Sequence, residues 1–226
     1  MDKKKLDKLA KKRKVIDSAL AEMCFKVMEG MERPVVIDVG ANRGLFLKAC
    51  LKRNGNAKII AVEPIEQNIK AIKNDLPDAN MTAIEGVAWS GSGLAELFFS
   101  SGGTKDASLY EKSVKKYGTK IHSKIKVRTF TIDEIMNIAV VSHIDIMFMN
   151  CEGAEYELLL KNTDWLRKVS YLYLHLHTKT DEFLSEIYLK KREEIVGRLS
   201  DYGFRMIHGM TDLTFEAHIV QLWRRV

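Results

Sequence analysis

Apolar residues along this chain fall into two kinds of run. Short continuous runs led by β-branched residues, "PVVIDVG" (34–40), "KIIAVEP" (58–64), "NMTAIEGVAW" (80–89), "HIDIMFMN" (143–150) and "SYLYLHLH" (170–177), predict strands. The first two are apolar on consecutive positions, the pattern of strands buried on both faces. Between the strands, helical periodicity predicts helices over 45–53, 65–76, 132–140, 154–166 and 181–200. Asn54-Gly55 stops the first of these, and Pro64 stands where a helix opens. Ahead of them all, Ile16, Ala19, Leu20, Met23 and Val27 predict a helix over 15–29 that ends at Gly30.

Alternating strands and helices joined by short loops predict a parallel sheet with right-handed crossovers. Residues 90–131 interrupt that alternation. They open on "SGSG", hold a strand at "LAELFFS", a polar stretch "SGGTKDASLYEKSVKKYGTK" and a strand at "IKVRTFT". An insertion of this length reads as a substrate lid, and Tyr110, Tyr117 and its lysines suit an anionic or polyol substrate. Near the C-terminus, "YGFRMIHG" and "FEAHIVQLW" flank the polar "MTDLT" and predict an antiparallel pair. The expected fold is α/β, a Rossmann-like seven-stranded sheet with an antiparallel final strand. A basic helical leader over 1–30 precedes a single domain over 31–226.

Charge changes the picture less than its total suggests. The net charge is +6, yet residues 1–14 alone hold eight Lys or Arg against two Asp. The remaining residues balance at 28 basic and 28 acidic, so no basic surface is spread over the fold and nucleic acid is a disfavoured partner. The leader reads as a solvated helix. Cys24, Cys50 and Cys151 are scattered without a CxxC pair, which disfavours a disulfide framework and a structural zinc site. A reducing compartment, the cytoplasm, is the expectation. No apolar run is long enough to predict a membrane-spanning helix.

In an open α/β sheet, ligands gather beyond the carboxyl ends of the strands. The first strand delivers "DVGANRG" to that edge, where Gly40 and Gly44 permit positive φ and the next helix points free N–H groups outward. The second delivers Glu63, 23 residues beyond Gly40 and suited to hold two ribose hydroxyls. The third glycine of the dinucleotide fingerprint is missing, and Asp38 would repel a pyrophosphate. Asp38 and Glu63 together favour a cationic nucleoside with an amino-acid tail. S-adenosylmethionine is the common one.

With these stretches in view, the chain resembles the FkbM family of class I methyltransferases. The resemblance rests on "VIDVGANRG", "AVEP", "TFTIDE" and "IDIMFMNCEGAEYELL", and spans roughly residues 35–177. It implies a class I methyltransferase sheet and S-adenosylmethionine-dependent O-methylation of a hydroxyl on a sugar, glycolipid or polyketide. Carried across, Asp38, Gly40, Asn42 and Gly44 would line the methionine part of the cofactor and Glu63 would hold its ribose. The family commonly places an Asp two residues before the glutamate of EGAE, where this chain has Asn150.

A hydroxyl acceptor must lose its proton, so a nearby base helps. Alternation in "YLYLHLH" puts Tyr171, Tyr173, His175 and His177 on one face, with both histidines toward the ligand edge. His175 and His177 are the candidate bases, and Glu152 is the candidate orienter or second base. Glu155 reads as an early-turn acid favourable to a helix dipole. Cys151 lacks the preceding proline of a covalent methyltransferase motif and reads as a small strand-end hydrophobe. Asn150, Glu152 and His175 match no recognised metal-ligand spacing, so no metal is expected. RNA methylation, and a non-catalytic nucleotide-binding module of the same fold, are the alternative functions.

Overall fold

Each continuous apolar run contributes a strand to one sheet. The computed structural model describes residues 18–19, 21–100, 103–110, 121–177, 186–209 and 218–226. The strands are β1 (Val35–Val39), β2 (Lys58–Glu63), β3 (Met81–Glu85), β4 (Val87–Ala88), β5 (Gly93–Ser100) and β6 (Gly103–Ser108). They continue with β7 (Ile121–Phe130), β8 (Ile144–Met149), β9 (Val169–His177), β10 (Phe204–Gly209) and β11 (His218–Arg225). Helix α1 covers residues 21–29, followed by α2 (Leu45–Arg53), α3 (Glu66–Asp75), α4 (Ile132–Ala139), α5 (Ala154–Leu160) and α6 (Glu186–Asp201).

The main sheet runs β10-β11-β9-β8-β1-β2-β3. β1 pairs in parallel with β2 on one side and β8 on the other. β11 alone is reversed, antiparallel to both β9 and β10. This is the seven-stranded sheet with one antiparallel strand that the pattern predicts. The chain leaves β1 toward β2 and β3, then returns to β8 on the other side. A crevice therefore opens at the carboxyl ends of β1 and β8. Val36, Ile37, Ile59 and Ile60 have no exposed surface, as expected of strands covered by helices on both faces.

The interrupting segment joins β4, which precedes it, in a second sheet of order β4-β7-β5-β6. Three local expectations change here. The run 80–89 is two strands in two sheets, because Gly86 packs against β7. A Cβ there would sit 2.5 Å from Phe130 Cε2 and 2.7 Å from the Arg128 carbonyl oxygen. The polar stretch contributes β6, which pairs with β5 although it carries almost no apolar residues. The run 154–166 ends as a helix at Leu160. Left-handed Asn162 (φ 50°) turns the chain into a 3-10 segment, Asp164–Lys168.

A small cluster of Ile65, Val87, Leu97, Phe99 and Val127 seats the second sheet at the start of α3. The "TFTIDE" stretch opens α4 with a capping box. Thr131 Oγ1 accepts the Glu134 N–H at 3.2 Å and Glu134 Oε2 accepts the Thr131 N–H at 2.9 Å. The basic leader over 1–14, the first part of the helix predicted at 181–200, and the "MTDLT" turn lie outside the described residues.

Candidate active site

Asp38, near the end of β1, is buried, and its Oδ1 has no hydrogen-bond partner among the described residues. Burial pushes its carboxyl up to about 8, and the nearby Glu63 charge pushes the same way. Two residues on, Gly40 sits at φ +87°, where an added Cβ would stand 2.2 Å from the Asn150 carbonyl oxygen. β1 and β8 approach so closely here that only glycine fits. Gly44 (φ +69°) is the N-cap of α2.

Glu63 ends β2 and is nearly buried. Its Oε2 accepts the Asn42 N–H at 2.9 Å, while Oε1 accepts from Ile65 N at 3.1 Å and Asn68 Nδ2 at 3.0 Å. Burial raises its pKa and these three donors oppose the rise. A carboxylate offers about four lone-pair directions, so Glu63 keeps capacity for a ligand hydroxyl. The Asn42 bond also ties the glycine turn of β1 to the end of β2.

A cavity of about 170 Å³ opens over these strand ends. Gly40, Asn42 and Glu63 line it together with Asn150, Cys151 and Glu152. Leu97, Ala107 and Leu109 of the second sheet and the turn after it supply another wall. Asp38, Gly44, His175 and His177 are not among its lining residues. Asp38 and Gly44 flank the lining residues Val39, Gly40 and Asn42 along the chain, and His177 stands beside the lining Glu152.

The histidines meet an acid that the helix-dipole reading placed in another role. Glu155 has no exposed surface. Its Oε1 accepts the Cys151 N–H and faces His177 Nδ1, both at 2.8 Å, while Oε2 accepts the Gly153 N–H at 2.8 Å. It thus satisfies N–H groups at the start of α5 and holds the imidazole as well. Nε2 of His177 lies 3.4 Å from Glu152 Oε1. His175 stacks on His177 with ring centres 4.4 Å apart. Glu152 is left-handed at φ 51°. Burial lifts the Cys151 thiol well above its ordinary range, and the charges of Glu155, Glu152 and Asp38 raise it further. Such a thiol is a poor nucleophile.

A family model described as the methyltransferase FkbM domain matches residues 38–206, most of the chain. The protein belongs to the FkbM methyltransferase family. Its similarity to the 2-O-methyltransferase NoeI of Sinorhizobium fredii is 23% identity over 150 residues, covering 62% of this chain and 62% of that relative. A putative rRNA methylase from Clostridium thermocellum superposes with a TM-score of 0.52 at 8% identity, covering 92% of this chain and 96% of that one. A fibrillarin pre-rRNA processing protein from Methanococcus jannaschii gives 0.51 at 11% identity, covering 86% and 67%. At such identities these two likenesses concern the fold alone.

The residues of this FkbM-family cleft fit the cofactor S-adenosylmethionine. Asp38 has an unmet buried oxygen, the Gly40 cradle admits close approach, and Glu63 has spare acceptor capacity. No described helix is long and apolar enough to cross a membrane.

Proposed function

We propose that this protein is an S-adenosylmethionine-dependent O-methyltransferase acting on a hydroxyl of a sugar, glycolipid or other small molecule, with His177 as its base. The observation that carries this reading is the hold of buried Glu155 on His177 Nδ1, which leaves Nε2 on the side of the cavity-lining Glu152. A carboxylate at Nδ1 keeps the proton on that nitrogen and makes Nε2 the atom that receives another. The same arrangement stabilises the imidazolium formed when the acceptor hydroxyl gives up its proton.

Asp38, Gly40, Asn42 and Gly44 hold the methionine part of the cofactor, and Glu63 its ribose hydroxyls. The cofactor supplies an already activated methyl group, so positioning carries much of the remaining rate. Glu152, at the edge of the cavity, shares in handling the proton, and His175 is the second candidate base. Segment 90–131 is the substrate lid, a role supported by Ala107 and Leu109 in the cavity wall. Free cysteines at 24, 50 and 151 support a reducing compartment, for which we take the cytoplasm.

Calorimetry with S-adenosylmethionine and NAD, followed by methyl transfer to glycan, lipid and RNA acceptors, tests the reading. Binding of the methyl donor but not NAD, with transfer to a small hydroxyl acceptor, is expected. Transfer to RNA alone overturns the substrate class, and NAD affinity without affinity for the methyl donor overturns the activity. His177→Ala is expected to keep cofactor binding and lose about 10²–10⁴-fold in turnover. Undiminished turnover removes His177 from the mechanism.

A further inference from the structure

We propose that Ser108, on β6 of the second sheet, is a positioning residue that sets Glu152 against His177. The proposal rests on the reading of His177 as base. Glu152 occupies a left-handed conformation (φ 51°) that non-glycine residues other than Asn and Asp seldom adopt. Such a turn persists only where its surroundings over-determine it. From one side, Glu155 takes the N–H groups of Cys151 and Gly153, the residues flanking Glu152. From the other, Ser108 reaches across from β6. Its side chain is buried, and its Oγ donates to the Glu152 carbonyl oxygen at 2.9 Å.

The direction of that hydroxyl is determined. Ser108 Oγ also accepts the Tyr110 N–H at 3.1 Å, which occupies one of its lone pairs and leaves its single proton for Glu152. Fixing the Glu152 carbonyl fixes the peptide plane and with it the Cα–Cβ direction. The carboxylate then stands 3.4 Å from His177 Nε2. Ala107 and Leu109, the neighbours of Ser108, line the cavity. The cavity wall and the acid–base pair are therefore one mechanical unit, and whatever presses on that wall is felt at the base.

Among the described residues, the groups facing His177 include Glu155 on α5, Glu152 on the turn before it, and His175 on its own strand. His218 occupies the facing register position on β11. The Glu152 carboxylate favours the imidazolium, so moving or neutralising it lowers the pH at which His177 titrates. Ring-nitrogen NMR of the full chain reads this without any acceptor substrate. Glu152→Gln sets the scale. In Ser108→Ala the His177 titration is expected to move downward toward that of Glu152→Gln. Affinity for S-adenosylmethionine stays within about twofold, and kcat falls about tenfold, the value of one ordinary hydrogen bond. Ser108→Thr, which keeps the hydroxyl, restores both. Ser108→Cys, close in size with a weak donor, gives an intermediate shift and serves if the alanine variant fails to fold. Thr129→Val removes a hydroxyl that bonds Gly91 O elsewhere in the second sheet and leaves His177 unchanged.

A wild-type His177 titration in Ser108→Ala or Ser108→Cys overturns the proposal, and the base reading stands if His177→Ala is still inactive. A shifted titration in Ser108→Ala beside full turnover in His177→Ala does the reverse, keeping the tether and overturning the base.

Discussion

Replacing Gly40 and Gly44 separately by alanine separates a backbone constraint from a side-chain one. Both glycines are left-handed, at φ +87° and +69°. For an L-residue that region costs about 1–2 kcal/mol. Alanine recovers roughly 0.4–1 kcal/mol of that by restricting the unfolded chain. The conformational terms are therefore similar at the two sites, and space decides the difference. At Gly44 the new Cβ meets Ile72 Cγ1 at 3.0 Å, a side-chain atom that can give by a few tenths of an ångström. At Gly40 it meets the Asn150 carbonyl oxygen at 2.2 Å, the Asn150 carbonyl carbon at 3.0 Å and Cys151 Cα at 3.3 Å.

None of those backbone atoms is free to retreat. Asn150 N donates to Val39 O at 3.0 Å, and Gly40 N donates to Val62 O at 3.0 Å, so β8, β1 and β2 hold one another. Overpacking of this kind costs about 1–3 kcal/mol, and a broken ladder bond adds roughly 1. Gly40→Ala should therefore cost about 3–5 kcal/mol and Gly44→Ala about 1–2. For a chain of this size, that lowers the melting midpoint by roughly 6–20 °C against 2–8 °C. Calorimetry should also find binding of S-adenosylmethionine lost in Gly40→Ala and weakened less than about tenfold in Gly44→Ala. A Gly40→Ala protein that melts within 2 °C or so of the parent and binds the cofactor equally well would refute this reasoning.

Asp38 makes stability depend on pH in an unusual direction. Its native carboxyl titrates at about 8 against an ordinary 3.8, so the native state keeps a proton that the unfolded state has lost. Its contribution to stability declines as pH rises between those values, and Asp38→Asn should flatten that decline in urea titrations from pH 4 to 8 while weakening cofactor binding. An unchanged slope would sink the assignment. Glu155→Gln keeps the shape but gives the buried N–H groups of Cys151 and Gly153 and His177 Nδ1 fewer acceptors. A loss of about 3 kcal/mol in thermal or urea unfolding is expected. Unfolding indistinguishable from the parent would mean that Glu155 does not hold the turn.

How legible each feature was depended on how far away its cause lay. The bounds of α2 match the pattern because Gly44 and Asn54-Gly55, which set them, adjoin it. The division of 80–89 at Gly86 comes from Phe130 and Arg128, more than forty residues on, and no local pattern carries it. β6 is held by backbone pairing to β5, so "GTKDAS" offers no hydrophobic alternation to read. Glu155 was half legible. Its place in the first turn of α5 marks it as an acceptor for helix N–H groups, and it is one. Its second partner is hidden in the register of two parallel strands. Met149 of β8 stands opposite Leu174 of β9, so His175, Leu176 and His177 overhang the turn that follows β8. That overhang, set by the pairing of Ile144 with Val169 at the other end, lays His177 on Glu155.

The same geometry bears on Asn150, the position where the family commonly has Asp. Asn150 acts here through its main chain: its N–H completes the β1 ladder, and its carbonyl oxygen forms the wall that requires Gly40. Both roles are independent of whether the side chain ends in an amide or an acid. Asp38, Glu63, Glu152 and Glu155 already supply four carboxylates in and around the cleft, and burial raises the pKa of the first two. A further carboxylate at position 150 would raise those of Asp38 and Glu63 more, since neighbouring like charges disfavour ionisation. An amide at that position leaves Asp38 and Glu63 easier to ionise than an acid there would.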